Sequence, residues 1–84
     1  MSVWRYTVSL KDFIESDTIS LGKKGKLVAE KLKPLLNNFA ETDDLEIIIE
    51  DLENINDDDD PDFDFVMEDL YDWADSNFVW IETF

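Results

Sequence analysis

From Val3 to Leu10 apolar and polar positions alternate, with Trp4, Tyr6, Val8 and Leu10 on one side and Val3, Arg5, Thr7 and Ser9 on the other. A period of two predicts a strand with one buried face. Lys11 to Asp17 reads as a connector with a short helical turn that tucks Phe13 and Ile14 inward. Of the caps available for the next element, Asp17, Thr18 and Ser20, the last is best placed. The period then lengthens: Leu21, Val28, Leu32, Leu35, Leu36 and Phe39 recur at helical intervals, and Lys23, Lys24, Lys26, Lys31 and Lys33 occupy much of the remaining surface. Pro34 should end or kink this helix, because it lacks an N–H and disfavours helical backbone before it.

Thr42 to Ile55 is the clearest helix, with Leu45, Ile48, Ile49, Leu52 and Ile55 in one stripe and Asp43 and Glu46 spaced as a capping box. At 100° per residue, Asp43, Glu46, Glu50, Glu53 and, if the helix extends so far, Asp57 line the opposite face, a row of ~21 Å at a rise of 1.5 Å per residue. The run Asp57-Asp58-Asp59-Asp60 and Pro61 then break the chain, with Asp60 as cap and Pro61 as first residue of a helix reaching about Asp75. Phe63, Val66, Met67, Leu70, Trp73 and Ala74 form its buried face, and Asp64, Glu68, Asp72 and Asp75 a second carboxylate row. Phe65 falls among those acids, either as an exposed anchor or as core covered by another segment. Asp75-Ser76-Asn77 reads as a turn. Phe78 to Phe84 reads as a closing strand in which Val79 and Ile81 alternate with Trp80 and Glu82, and the pattern leaves open which pair faces inward.

A strand at each end with helices between them predicts one α+β domain over residues 1–84: a two-stranded antiparallel sheet covered on one face by about three helices. With 84 residues and no Cys, its stability must come from packing. Residues 1–10 lack the unbroken apolar stretch of a signal peptide, and no apolar run approaches the ~20 residues that span a bilayer. The expectation is a soluble, cytoplasmic protein.

Charge changes the picture. All seven basic residues lie at or before Lys33, whereas eighteen acids and no Lys, Arg or His follow, giving a net charge of −15. Such a field opposes direct contact with nucleic acid or an anionic membrane and favours a cationic partner, although acidity also serves solubility alone. The stretch Gly22-Lys23-Lys24-Gly25-Lys26 is not a phosphate-binding loop: two residues separate its glycines, Leu27 follows the lysine, and it reads as the solvated face of a helix. Without His or Cys the usual proton shuttles and thiol nucleophiles are missing, so a noncatalytic role without cofactor is expected. A calcium loop opening at Asp57 is unsuited, since Pro61 takes its fifth position and no Gly stands at the sixth.

Trp4-Arg5-Tyr6-Thr7-Val8, Leu70-Tyr71-Asp72-Trp73-Ala74-Asp75 and Val79-Trp80-Ile81-Glu82-Thr83 together resemble small acidic proteins encoded by bacteriophages and prophages. That broader class includes anti-restriction and anti-CRISPR inhibitors that imitate the charge of DNA. The resemblance implies action in the host cytoplasm and assigns no residue roles. The expected partner-binding surface consists of the two carboxylate rows, the run Asp57-Asp58-Asp59-Asp60 and Phe65. Its expected target is the basic nucleic-acid-binding surface of a host defence protein, met by a monomer in preference to a homodimer. The alternatives are an immunity or antitoxin protein plugging a cationic toxin site and an acidic housekeeping protein.

Overall fold

The computed structural model describes residues 3–58 and 60–84. Strand β1 (Tyr6–Ser9) is followed by helix α1 (Leu21–Leu32), a 3-10 segment (Lys33–Asn37), α2 (Asp43–Glu53), α3 (Asp60–Ser76) and strand β2 (Val79–Glu82). The α+β class follows the expected pattern, but the strands pair in parallel, Tyr6 opposite Val79 and Ser9 opposite Glu82, instead of antiparallel. Parallel neighbours need a long crossover, and three helical passes supply it. α2 and α3 run in opposite directions, with Asp44 near Asn77 at one end of their crevice and Asp51 near Asp62 at the other. An odd number of such passes returns the chain to the end where β1 began.

The layers also differ from the expectation. α1 and α3 pack on the sheet, while α2 packs on α1 and α3 and makes no close backbone approach to either strand. One core joins them, with Leu10, Val28, Leu32, Leu45, Leu52, Leu70 and Val79 fully enclosed. Full burial of such a side chain stabilises by about 1.5–3 kcal/mol. Tyr6, Phe39 and Trp73 form a chain of ring contacts, 5.4 and 5.5 Å between centroids, that ties β1 through the segment after the 3-10 turn to α3.

The strand at the N-terminal side is shorter than the alternation implied. Val8 and Leu10 are buried and Tyr6 partly so, but Trp4 lies outside the paired segment and meets Trp80 at 5.3 Å on the outer side. Val79 and Ile81 turn inward and Trp80 outward, which settles the face of β2. Phe13 and Ile14 tuck inward on a turn in which their N–H groups donate to the Leu10 carbonyl. Ser20 caps α1, its hydroxyl accepting from the Lys23 N–H at 3.3 Å. Pro34 sits in the 3-10 segment, where the α-helical bonding has ended.

Three local expectations are corrected. Thr42, not Asp43, precedes the first turn of α2, and Glu46 accepts from the Thr42 hydroxyl at 3.3 Å instead of completing a capping box. α3 takes in Asp60 as its first residue and runs through Ser76, so the turn falls at Asn77 and Phe78. Gly22 and Gly25 are buried, so only the lysines of that stretch form a solvated face. A Cβ on Gly25 would collide with the Leu52 carbonyl oxygen, and one on Gly22 would come within 3.0 Å of the Ile55 carbonyl oxygen. The two glycines, one turn apart, are where α1 lets the end of α2 approach.

Phe78 has φ of 59°, a left-handed conformation uncommon for a bulky residue. It follows a helix end at which the Asn77 side chain donates to the Trp73 carbonyl at 2.8 Å. The turn leaves the Phe78 carbonyl accepting from the Arg5 N–H at 2.7 Å, which starts the strand pairing.

Candidate functional site: the acidic faces of α2 and α3

The expected carboxylates other than Asp59 each have a definite place. Asp43, Glu46, Glu50 and Glu53 are exposed along α2, and Asp64, Glu68, Asp72 and Asp75 are exposed along α3. Asp58 is exposed between the helices and Asp60 is exposed as the first residue of α3, whereas Asp59 lies outside the described residues. Glu53 meets Lys33 at 3.0 Å. A surface pair of this kind contributes little, about 0–1 kcal/mol.

Asp57 has a different task. α2 ends at Glu53, so Asp57 is not part of its row. Its Oδ1 accepts from the Gly22 N–H at 3.0 Å, one residue before the N–H that Ser20 satisfies. A carboxylate here meets an otherwise unsatisfied donor and the positive end of the helix dipole. The Asp run is thereby tied to α1 at its first residue. Asp57→Ala should cost about 1–2 kcal/mol, as loss of a helix cap does, while Asp58→Ala should stay within about 0.5 kcal/mol. Thermal melting of the two variants checks this, and equal midpoints would remove the capping role.

Phe65 is exposed, at 65% of its full accessible area, which decides against a core position. Its lining neighbours are Asp51, Asp62 and Asp69, so it belongs to the crevice between α2 and α3, to one side of the Asp64, Glu68 and Asp72 row. The crevice continues past Asp69 to Ile47, Asp44 and Trp73. Open depressions of about 310 and 380 Å³ mark its two ends, room enough for large side chains.

Asp44, Asp51, Asp62 and Asp69 are the residues that the row-based reading missed. Their signal was present: each helix carries an Asp, an apolar residue three positions on and a second Asp four beyond that, as Asp44, Ile47, Asp51 and as Asp62, Phe65, Asp69. These positions share a flank of a helix, between the buried stripe and the outermost row.

Two ion pairs, Lys11 with Glu82 and Lys33 with Glu53, are formed among the described residues, so most of the acidic surface repels itself without a nearby cation. Screening should relieve that repulsion. Raising NaCl from about 20 to about 500 mM should raise the melting temperature by roughly 5 °C, equivalent to about 1 kcal/mol for a domain of this size. A midpoint that falls with salt would mean that the lysines neutralise the acids in solution.

On the other side of α3, Tyr71 has its phenol pushed above the usual value by partial burial and, secondarily, by the Glu15 carboxylate. Both oppose the phenolate. The folded chain therefore holds this proton above pH ~10, where the unfolded chain releases it. The associated stability is present below pH ~10 and is lost as pH rises through the folded value. Tyr71→Phe should flatten the decline in melting temperature above pH ~10, measured against the parent in the same buffers.

Among the described residues no group of three or more Asp, Glu, His or Cys is gathered closely enough to hold a metal ion, and no helix is long and apolar enough to cross a membrane. No protein-family model matches the chain, and comparisons with curated proteins and with solved structures likewise return no match.

Proposed function

We propose that this chain is a noncatalytic inhibitor that occupies a basic nucleic-acid-binding surface of another protein, of the kind found in host defence complexes, by offering carboxylates in place of phosphates. The observation that carries the reading is the pair of antiparallel helices whose solvent-facing flanks carry Asp and Glu and no cation. The long dimension of the fold is 37 Å. Duplex DNA of that length carries about 22 charges at one per ~1.7 Å, and the net charge of −15 is of the same order. Each Lys or Arg captured by a carboxylate is unavailable to nucleic acid, so inhibition is competitive. The protein acts in the cytoplasm as a monomer, since its charge opposes self-association.

The test is to recover cationic partners with the tagged chain, then titrate the chain into a partner holding a fluorescent duplex. Stoichiometric release of the duplex is expected, with apparent affinity falling steeply as salt rises. A partner that binds the chain and keeps its nucleic acid, or recovery of no cationic partner, would sink the reading.

A further inference from the structure

The crevice between α2 and α3 has chemistry that the outward rows lack. Ile47 and Phe65 are 58% and 65% exposed, and each stands between two aspartates of its own helix, Asp44 and Asp51 on one wall and Asp62 and Asp69 on the other. Carboxylates alone serve any cation, and phosphate imitation needs no exposed isoleucine or phenylalanine. Two large apolar side chains held within a frame of four acids specify an occupant that is both apolar and cationic.

We propose that this crevice seats a cationic amphipathic helix of the partner protein, with its apolar stripe on Ile47 and Phe65 and its Lys and Arg side chains reaching Asp44, Asp51, Asp62 and Asp69. A crevice between two antiparallel helices suits a third helix, whose side chains fill the groove. The two aspartates of each wall are seven positions apart, about 10.5 Å along the helix, which matches the two-turn repeat of a helical ligand. A second copy of the chain does not fit. Its own lysine-bearing helix α1 already buries Val28, Ala29 and Leu32 in its core, and its net charge of −15 repels the site. Nucleic acid is repelled in the same way. The inference rests on the proposed function for the partner's identity, but not for the location or chemistry of the seat.

The probe is a synthetic Leu/Lys amphipathic helix of about 18 residues, long enough to span the crevice, compared with a scrambled peptide of the same composition. Titration into the isotopically labelled chain at about 150 mM salt, where long-range attraction is screened, should perturb the Ile47 and Phe65 amides and the Trp73 indole. The ordered probe should bind at least about 10-fold more tightly than the scrambled one, a difference of ~1.4 kcal/mol. Asp51→Asn with Asp62→Asn and Asp69→Asn should weaken the ordered probe by about 10-fold or more, whereas Asp64→Asn with Glu68→Gln and Asp72→Asn should weaken it by less than about 3-fold. Circular dichroism confirms the fold of each variant. Equal binding of ordered and scrambled probes, equal losses in the two triple variants, or no binding of the probe would overturn the seat. The two proposals fail separately: intact probe binding without displacement of nucleic acid removes the function, and undiminished displacement by the Asp51, Asp62 and Asp69 variant removes the crevice.

Discussion

Gly25→Ala should lower the melting temperature by about 10 °C, although helix propensity by itself favours alanine over glycine by about 1 kcal/mol. The sign is decided by packing. The new Cβ would run into the backbone carbonyl oxygen of Leu52 and approach Ile55 Cβ and Cγ1 at 3.3 Å. A flexible side chain swings away at little cost, but the Leu52 carbonyl belongs to a helix whose apolar stripe is locked in the core. Overpacking of this kind costs about 1–3 kcal/mol and sometimes more; a collision with fixed backbone takes the upper end, so a net loss of about 2 kcal/mol remains after the gain in propensity. Lys26→Ala, on the exposed side of the same turn, has only the favourable propensity term and should be neutral within about 0.5 kcal/mol. Differential scanning calorimetry of the pair checks the result. A Gly25→Ala protein as stable as the parent would mean that α1 and α2 have room to separate.

The second large effect is on binding. Phe65→Ala should leave the circular dichroism spectrum unchanged, because the ring is exposed and contributes little to the core. Aromatic anchors at the centre of an interface often account for ~2 kcal/mol on truncation, so the affinity for the proposed cationic partner should fall about 30-fold. Most of that loss should appear as faster dissociation. The outer row behaves differently: Asp64→Asn with Glu68→Gln and Asp72→Asn weakens the long-range field, so association should slow and its salt dependence should flatten. Surface plasmon resonance across a salt series separates the two. A Phe65→Ala variant with an unchanged dissociation rate would exclude the ring from the interface.

Element types were legible in the chain because amphipathic periodicity is a local property. The stripe Leu45, Ile48, Ile49, Leu52 and Ile55 is buried as its spacing requires, as are Phe63, Met67, Leu70 and Ala74 of the α3 stripe, whose Val66 and Trp73 are partly buried against the core, and Ser20 is the cap that its position suggested. What escaped the reading is set by contacts between distant segments. The direction of β2 relative to β1 depends on how many helical passes intervene and how they stack, which no strand pattern encodes. Gly22 and Gly25 resemble breaks in a lysine-rich surface until α2 is laid against them. Asp57 looks like one acid in a run of four, yet its oxygen answers an N–H thirty-five positions earlier. For the candidate site, the outward rows were visible at 100° per residue. The Asp44, Ile47, Asp51 and Asp62, Phe65, Asp69 flanks acquired meaning only when the two helices were brought side by side.

Parallel pairing of β1 with β2 also governs when the fold can be completed. Tyr6 waits for Val79, and closing a loop of roughly seventy residues costs about 4 kcal/mol of chain entropy before any strand contact compensates it. That cost falls only once α1, α2 and α3 have docked and shortened the path between the strands. As a chain leaves the ribosome, β1 is made before the three helices and β2 after them, so the backbone donors of β1 have no strand partner while the helices are being made. Arg5 and Lys11 flank that waiting strand, and charges at the ends of an unpaired edge are what discourages it from pairing with a neighbouring chain in the meantime.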